Sequence, residues 1–130
     1  MLGNIKNTKA LLDKYNLQPK KKFGQNFLVD ENVLRKIVDA AGPDANTGVV
    51  EIGPGIGALT ELLLQNFRKV LAFEIDKGLV EVLKEELGDY QNFKLVDPDF
   101  LKGHLEEELK FLGDCERIIV VSNLPYYITT

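Results

Sequence analysis

A carboxylate and three glycines lie close together in this 130-residue sequence, in a pattern suited to binding a nucleotide. An apolar run leads into Glu51, and Gly53, Gly55 and Gly57 follow at alternate positions. Glycines adopt backbone conformations that other residues avoid, and they let a ligand approach the main chain closely. A helix predicted to begin at Ala58 would direct its amide groups toward that ligand. The segment therefore favours a nucleotide-type cofactor over a tight turn that binds nothing.

The glycine turn alone does not choose the cofactor. Gly53, Gly55 and Ala58 also satisfy the looser pattern G-x-G-x-x-A of dinucleotide-binding enzymes. Glu74 lies at the end of the next predicted strand, where a carboxylate can accept both hydroxyls of a ribose. NAD and S-adenosylmethionine both carry a ribose, so both cofactors stay open at this point.

A third strand end contributes Asp99 and Phe100. Asp99 could accept a hydrogen bond from an adenine amine, with Phe100 beside the base. A lone aspartate in such a turn more often caps the following helix. The alignment of these acids on one edge of a predicted sheet favours the binding interpretation.

The fourth strand end carries the tetrapeptide Asn123-Leu124-Pro125-Tyr126. The Asn123 amide oxygen and the Leu124 carbonyl could accept the two hydrogens of an exocyclic adenine amine and favour the nitrogen lone pair needed for attack. Pro125 disfavours helical geometry at Leu124, and Tyr126 offers a ring on which an extruded base can stack. Without other motifs, an ordinary proline turn would explain this tetrapeptide equally well.

A sheet is needed to bring these segments together. Four runs are predicted as strands, and their almost continuous apolar character is typical of parallel strands covered by helices on both faces. Predicted strands begin at Val49 and span Lys69 to Phe73, Phe93 to Val96 and Ile118 to Ser122; predicted helices span Thr8 to Tyr15, Asp30 to Ala41, Lys77 to Leu87 and Leu101 to Leu112, with one more opening at Ala58. Alternating strands and helices predict an α/β fold with an open, doubly wound, mainly parallel sheet, and ligands bind at the carboxyl ends of such strands.

Charge is distributed unevenly along the chain. The net charge is −4, but residues 1–24 carry six lysines and one aspartate, which leaves the remainder at −9. Clustered lysines on an acidic body predict contact with a polyanion, and Lys20, Lys21 and Lys22 are the candidate RNA-binding residues. A solvated, flexible leader is the alternative interpretation of a lysine run.

Cysteine and histidine counts restrict the possible chemistry. Cys115, the single cysteine, excludes an intramolecular disulfide and is expected to be a partly buried thiol. With one histidine, His104, the sequence does not predict a metal site. No run reaches the length of a membrane span and the N-terminus lacks the apolar core of a signal peptide, so a cytoplasmic location is expected.

Four motifs, in this order and spacing, resemble the ribosomal RNA adenine dimethyltransferases. They are K-F-G-Q-N-F-L at 22–28, E-I-G-P-G-I-G at 51–57, E-I-D at 74–76 and N-L-P-Y at 123–126. The resemblance implies a Rossmann-like methyltransferase fold and S-adenosylmethionine as the cofactor. The form F-G-Q-N-F-L after lysines is closer to the housekeeping branch than to the macrolide-resistance methylases. Housekeeping members dimethylate two adjacent adenosines in a hairpin near the 3′ end of small-subunit RNA.

The resemblance also implies roles for individual residues. Gly53 would approach the methionine moiety, Glu74 the ribose and Asp99 the adenine, and Asn123 would lie between cofactor and target amine. The predicted cofactor-binding set is Gln25, Asn26, Leu28, Glu51, Gly53, Gly55, Glu74, Ile75, Asp99, Phe100 and Asn123; the predicted catalytic set is Asn123, Leu124, Pro125 and Tyr126. At residues 97–100 the family more often shows G-D-A-L, which makes Asp97 a rival to Asp99.

The family's sheet has seven strands and is followed by a helical domain that helps bind RNA. Residues 1–28 are therefore expected to form a basic helix and a cofactor-covering loop, and residues 29–130 the N-terminal half of the Rossmann-like domain, without the remaining strands and helical domain. With the usual strand order 3-2-1-4, the strand Ile118 to Ser122 would lie at an edge despite its central-strand sequence. Methylation by this chain alone is expected to be weak or absent.

The leading prediction is an adenine-N6 methyltransferase acting on small-subunit RNA or a pre-ribosomal particle, monomeric at full length. Three alternatives remain open at this stage. The first is a macrolide-resistance methylase of large-subunit RNA, and the second is an NAD-dependent oxidoreductase. The third is a non-catalytic RNA-binding assembly factor.

Overall fold

The computed structural model describes residues 31–96 and 105–122, in which helices and strands alternate. The strands are β1 (Asp44–Ile52), β2 (Phe67–Phe73), β3 (Phe93–Val96) and β4 (Arg117–Ser122). The helices are α1 (Glu31–Ala41), α2 (Ala58–Asn66), α3 (Lys77–Leu87) and α4 (Leu105–Leu109), and a 3₁₀ helix at Lys110–Leu112 continues α4. No helix in these ranges is long and apolar enough to cross a membrane.

The four strands form one parallel sheet in the order β3-β2-β1-β4. The predicted α/β fold and the predicted 3-2-1-4 order are both confirmed. In the register, Val50 of β1 lies between Leu71 of β2 and Val120 of β4. Because β1 is flanked by a strand on each side, its carboxyl end opens where the strand order reverses, which is where α/β sheets bind their ligands.

The main core lies between one face of the sheet and helices α1, α2 and α3. Val49, Val70 and Val121 from neighbouring strands face buried leucines of these helices. The fully buried leucines here are Leu34, Leu62, Leu63, Leu79, Leu83 and Leu87. Burial of one such side chain contributes about 1.5–3 kcal/mol, so this layer fixes the helices against the sheet.

The opposite face of the sheet is covered over only part of its width. Val50, Leu71 and Val96 pack there with Leu112 of the 3₁₀ helix. Ile118 and Val120 of β4 remain 49% and 66% exposed on the same face. Within the described ranges, the predicted cover on both faces is therefore wrong for β4, while its predicted place at an edge is confirmed.

Element boundaries differ from the prediction where the sequence is polar. α3 and β3 have the predicted bounds, but β1 begins at Asp44 rather than at Val49. Its first residues were unrecognisable as strand because they are polar and because the pairing with β2 is irregular between Asp44 and Gly48. The helix predicted from Leu101 to Leu112 is described from Leu105 onward, and it becomes a 3₁₀ helix after Leu109. The helix predicted at Thr8 to Tyr15 lies outside the described residues.

Arg117 joins three elements at the amino end of the sheet. Its guanidinium donates to Thr47 Oγ1 at 3.0 Å and to the Gly42 carbonyl at 2.9 Å. Thr47 in turn donates to Asp44 Oδ2 at 3.1 Å. The start of β4 is thus attached to the start of β1 and to the end of α1, on the opposite edge from the glycine turn.

Gly48 shows how closely the smaller core packs. A Cβ atom at this position would lie 2.8 Å from Cys115 Sγ and 3.0 Å from Leu112 Cδ2. Cys115 is partly buried, as predicted, and burial raises the pKa of its thiol. We expect Gly48→Ala to lower the free energy of unfolding by about 1–3 kcal/mol through overpacking, measured by urea denaturation.

The companion variant Cys115→Ala removes the sulfur that the new methyl group would meet. The loss in free energy of unfolding in the double variant Gly48→Ala/Cys115→Ala should therefore be smaller than the sum of the losses in the two single variants. Strict additivity of the two changes would contradict the packing described here.

Candidate cofactor site

The glycine turn at the carboxyl end of β1 is built from left-handed backbone. Gly53, Gly55 and Gly57 have φ angles of 72°, 63° and 91°. The amide of Gly53 donates to the Phe73 carbonyl at 3.0 Å, and that of Gly57 donates to the Pro54 carbonyl at 3.0 Å. Only glycine adopts such angles without strain, which explains the alternate spacing. The turn is tied to β2 by its own main chain.

Glu74 braces this turn from the end of β2. Its side chain is buried; Oε1 accepts the Gly55 amide at 3.0 Å and Oε2 accepts the Asp76 amide at 2.9 Å. Burial raises the pKa of the Glu74 carboxyl, and the bound backbone amides oppose that rise. One carboxylate therefore holds the glycine turn and the entrance of α3 in a fixed relation.

The three residues of the predicted motif E-I-D have different contacts. Asp76 caps α3, because its Oδ1 accepts the amides of Gly78 at 2.8 Å and Leu79 at 3.2 Å. Ile75, between the two acids, is 70% exposed. It offers an apolar surface at the rim, beside the carboxylate that faces the turn.

Glu51 is a buried carboxyl beneath the glycine turn. It is 1% exposed, and the Thr60 hydroxyl of α2 donates to its Oε1 at 2.5 Å. Its Oε2 has no hydrogen-bond partner among the residues that the structure describes. Burial raises the pKa of Glu51 to about 8, with the Thr60 hydrogen bond opposing the rise and the Glu74 charge adding to it. Burial in the folded protein therefore favours the protonated form of this carboxyl.

The arrangement fits a nucleoside ligand. A Cβ atom built on Gly55 would meet no other described atom within 4 Å, so the turn has free space above it. Each Glu74 oxygen keeps a second lone pair beside its amide bond, with which it can accept a ribose hydroxyl without releasing the turn. The orphaned Oε2 of Glu51 would satisfy an N–H donor.

Five predicted site residues lie in the described part of the chain, and the structure brings them to one edge: Glu51, Gly53, Gly55, Glu74 and Ile75. β3 ends at Val96 and β4 at Ser122, so these parallel strands end at the same edge. The other predicted residues lie outside the described ranges: Lys20, Lys21, Lys22, Gln25, Asn26, Leu28, Asp99, Phe100, Asn123, Leu124, Pro125 and Tyr126. Across residues 31–96 and 105–122, no cluster of three or more His, Cys, Asp or Glu could hold a metal ion.

Thr60 was missed by reasoning from the sequence. It is the one hydroxyl within the run Ala58-Leu59-Thr60-Glu61-Leu62-Leu63-Leu64. A polar group on the apolar face of a short helix needs a buried partner, and Glu51 nearby in the sequence was a candidate. That signal was present but was not used.

A solved structure shares this fold. The 23S rRNA methyltransferase ErmE matches with a TM-score of 0.56 and 28% identity, over 75% of this chain and 48% of that chain. The parallel sheet with its glycine turn is that of the Rossmann-like methyltransferases.

A family model described as "Ribosomal RNA adenine dimethylase" matches residues 16–130. This chain belongs to that family. It is 54% identical to "Ribosomal RNA small subunit methyltransferase A" of Staphylococcus aureus (strain Newman), and 52% identical to the protein of that name from Staphylococcus carnosus. Each match covers 95% of this chain but only 42% of the relative. The resemblance found in the four motifs is confirmed.

The protonated Glu51 predicts a pH-dependent stability. Between the ordinary pKa of 4.5 and the folded value of about 8, the folded state keeps a proton that the unfolded chain has lost. The free energy of unfolding should therefore fall as pH rises through this window, by up to about 1.4 kcal/mol per pH unit, and level off above it. Glu51→Gln keeps a neutral side chain that can accept from Thr60. Its free energy of unfolding should fall less between pH 5 and pH 8, as measured by urea denaturation.

The matched control is Glu81→Gln, a change of an exposed carboxylate on α3. This variant should follow the pH dependence of the unmodified chain. Equal slopes for Glu51→Gln and the unmodified chain would show that Glu51 ionises normally.

Proposed function

We propose that this chain carries the cofactor-binding part of an rRNA adenine dimethyltransferase. The reaction moves methyl groups from S-adenosylmethionine to the N6 amines of two adjacent adenosines in the 3′-terminal hairpin of small-subunit rRNA. The observation that carries the proposal is the hydrogen bond from the Gly55 amide to Glu74, which forms a ribose-type site in a member of the dimethylase family. The staphylococcal relatives are named as methyltransferases of small-subunit ribosomal RNA, which supports the small subunit as the target.

Cofactor binding follows from the described residues. Glu74 accepts the two ribose hydroxyls with its remaining lone pairs, while Ile75 lies against the base side of the nucleoside. Gly53 and Gly55 let the methionine moiety approach the turn, since neither carries a side chain. Glu51 lies below the turn as a further polar contact for that moiety.

Bound S-adenosylmethionine would supply a sulfonium methyl group; attack of the adenine N6 on that methyl carbon would release the thioether, and the N6 proton would pass to water. Asn123 and the Leu124 carbonyl are proposed to accept from the amine and aim its lone pair at the methyl carbon. Stacking on the adenine is proposed for Tyr126, and Pro125 is proposed to restrict the Leu124 backbone so that its carbonyl can reach the amine. Contacts with the cofactor are proposed for Gln25, Asn26 and Leu28, and contacts with its adenine for Asp99 and Phe100.

RNA contact is proposed for Lys20, Lys21 and Lys22. The net charge of residues 1–24 is opposite to that of the remaining chain, which suits local neutralisation of phosphates. The partner would be small-subunit rRNA or a pre-ribosomal particle in the cytoplasm, and the full-length enzyme would be a monomer.

Calorimetric titration with S-adenosylmethionine tests the cofactor. The unmodified chain should bind it saturably, and Glu74→Ala should weaken binding on the order of 100-fold, because two hydrogen bonds to a charged acceptor are lost. NAD, titrated under the same conditions, should not bind.

Glu81→Ala, which removes an exposed carboxylate of α3, serves as the control for loss of negative charge and should bind normally. Circular dichroism of each variant checks that the turn mutation leaves the fold intact. Binding of NAD in place of S-adenosylmethionine would mean an oxidoreductase.

Transfer of labelled methyl groups to ribosomal subunits tests the activity. The S. aureus relative is the positive control, since the chain spans 42% of its length. Because this chain alone is expected to transfer weakly or not at all, the assay uses a chain extended to the length of its relatives. Labelled dimethyladenosine should then appear in small-subunit RNA, and Asn123→Ala should lower the rate by about 100-fold or more, as when an oriented polar group is removed from an active site.

Three other results would redirect the assignment. Labelling of large-subunit RNA would indicate a resistance-type methylase. RNA binding that is insensitive to Asn123→Ala, with no transfer, would indicate an assembly factor. An extended chain that binds S-adenosylmethionine but labels neither RNA would contradict the proposed activity.

A further inference from the structure

Thr60 is a buried hydroxyl in the first turn of α2. Its exposure is 0%, and its Oγ1 donates to Glu51 Oε1. Threonine within a helix commonly bonds to the main chain of the preceding turn. Here the hydroxyl instead donates to the Glu51 carboxyl of β1. The contact connects α2 to the strand end beneath the glycine turn.

The surroundings of this pair are apolar. The register neighbours of Glu51 are Ala72 on β2 and Val121 on β4, both buried. Helix α1 contributes the buried side chains Leu34 and Val38 to the same core. Within the described residues, Glu74 is the ionisable group whose charge acts on Glu51. No cation in these ranges compensates the carboxyl.

The second oxygen of Glu51 indicates a missing partner. Oε2 is buried and has no hydrogen-bond partner among the described residues. Leaving such a group unsatisfied is energetically unfavourable. No side chain caps α2, whose N-cap residue is Gly57, and the space above Gly55 is free of described atoms. An unsatisfied polar atom therefore lies in the strand that leads into a turn open to a ligand.

We propose that Thr60 is a positioning residue of the cofactor site. By holding Oε1 of Glu51, it leaves Oε2 for the amino group of an amino-acid-bearing nucleoside cofactor. The inference rests on the proposed function, because S-adenosylmethionine supplies that amino group. When the cationic amine binds, Glu51 releases its proton to solvent and the resulting carboxylate accepts from the amine. The Thr60 hydroxyl stabilises this carboxylate.

Two ligands separate this role from a general effect on the fold. S-adenosylmethionine carries the amino group, and 5′-deoxy-5′-methylthioadenosine has the same nucleoside and a thioether without it. Thr60→Val keeps the shape of the side chain and removes the hydroxyl, whereas Thr60→Ser keeps the hydroxyl. In calorimetry, Thr60→Val should weaken S-adenosylmethionine about tenfold and methylthioadenosine by less than about twofold. Thr60→Ser should stay within about threefold of the unmodified chain for both ligands.

A pH profile adds a readout that a purely structural residue would not change. The Thr60 hydrogen bond lowers the pKa of Glu51. Affinity for S-adenosylmethionine should increase with pH as Glu51 loses its proton. Loss of the hydrogen bond in Thr60→Val should move this increase to higher pH, and Thr60→Ser should leave the pH profile unchanged. Binding of methylthioadenosine should not follow this profile in any variant.

Each outcome decides the inference. Equal weakening of both ligands by Thr60→Val, or no weakening of either, would overturn it while the proposed cofactor stands. If the unmodified chain binds neither ligand, the proposed function fails for this chain and the inference fails with it. If circular dichroism shows Thr60→Val unfolded, Glu51→Gln is titrated with the same two ligands. A loss of affinity for S-adenosylmethionine alone would then support the Glu51 contact. An equal change in affinity for both ligands, or no change for either, would overturn the inference.

Discussion

The hydrogen bond between the Gly55 amide and the Glu74 carboxylate connects two strand ends that are 19 residues apart in the chain. It is possible only because β1 and β2 are parallel neighbours, with Ile52 opposite Phe73 at their carboxyl ends. The same carboxylate also receives the Asp76 amide, so α3 starts from the residue that fixes the turn. The sheet order thus lets one acid set the positions of a loop and a helix at the candidate cofactor site.

Two buried acids lie at the candidate site, and burial raises the pKa of both. Glu74 is buried but surrounded by backbone amides, which favour its ionised form against the effect of burial. Glu51 is also buried and has one hydroxyl donor, so burial dominates and its pKa rises to about 8. More hydrogen-bond donors oppose the effect of burial at Glu74 than at Glu51. The Glu74 charge in turn raises the pKa of Glu51, so the two acids are electrostatically connected.

Much of this arrangement could be predicted from the sequence, where local signals were strong. The amphipathic pattern from Lys77 to Leu87 located α3 correctly, and the glycines located the turn. The polar start of β1 could not be recognised, because its strand pairing depends on β4 through the Asn46 carbonyl and on the Arg117 contacts. The protonation of Glu51 could not be predicted either, since it depends on burial by helices distant in the chain. Thr60 was readable as a polar residue in an apolar helix, but its partner required the fold.

Arg117 and its acceptors lie at the amino edge of the sheet, while Glu51, Glu74 and the glycines lie at the carboxyl edge. The strands between them are a few residues long and rigidly paired. The contacts of Arg117 and the candidate cofactor residues therefore lie at opposite edges of one sheet. A substitution among the Arg117 contacts can reach the candidate cofactor residues only through the paired strands that join the two edges.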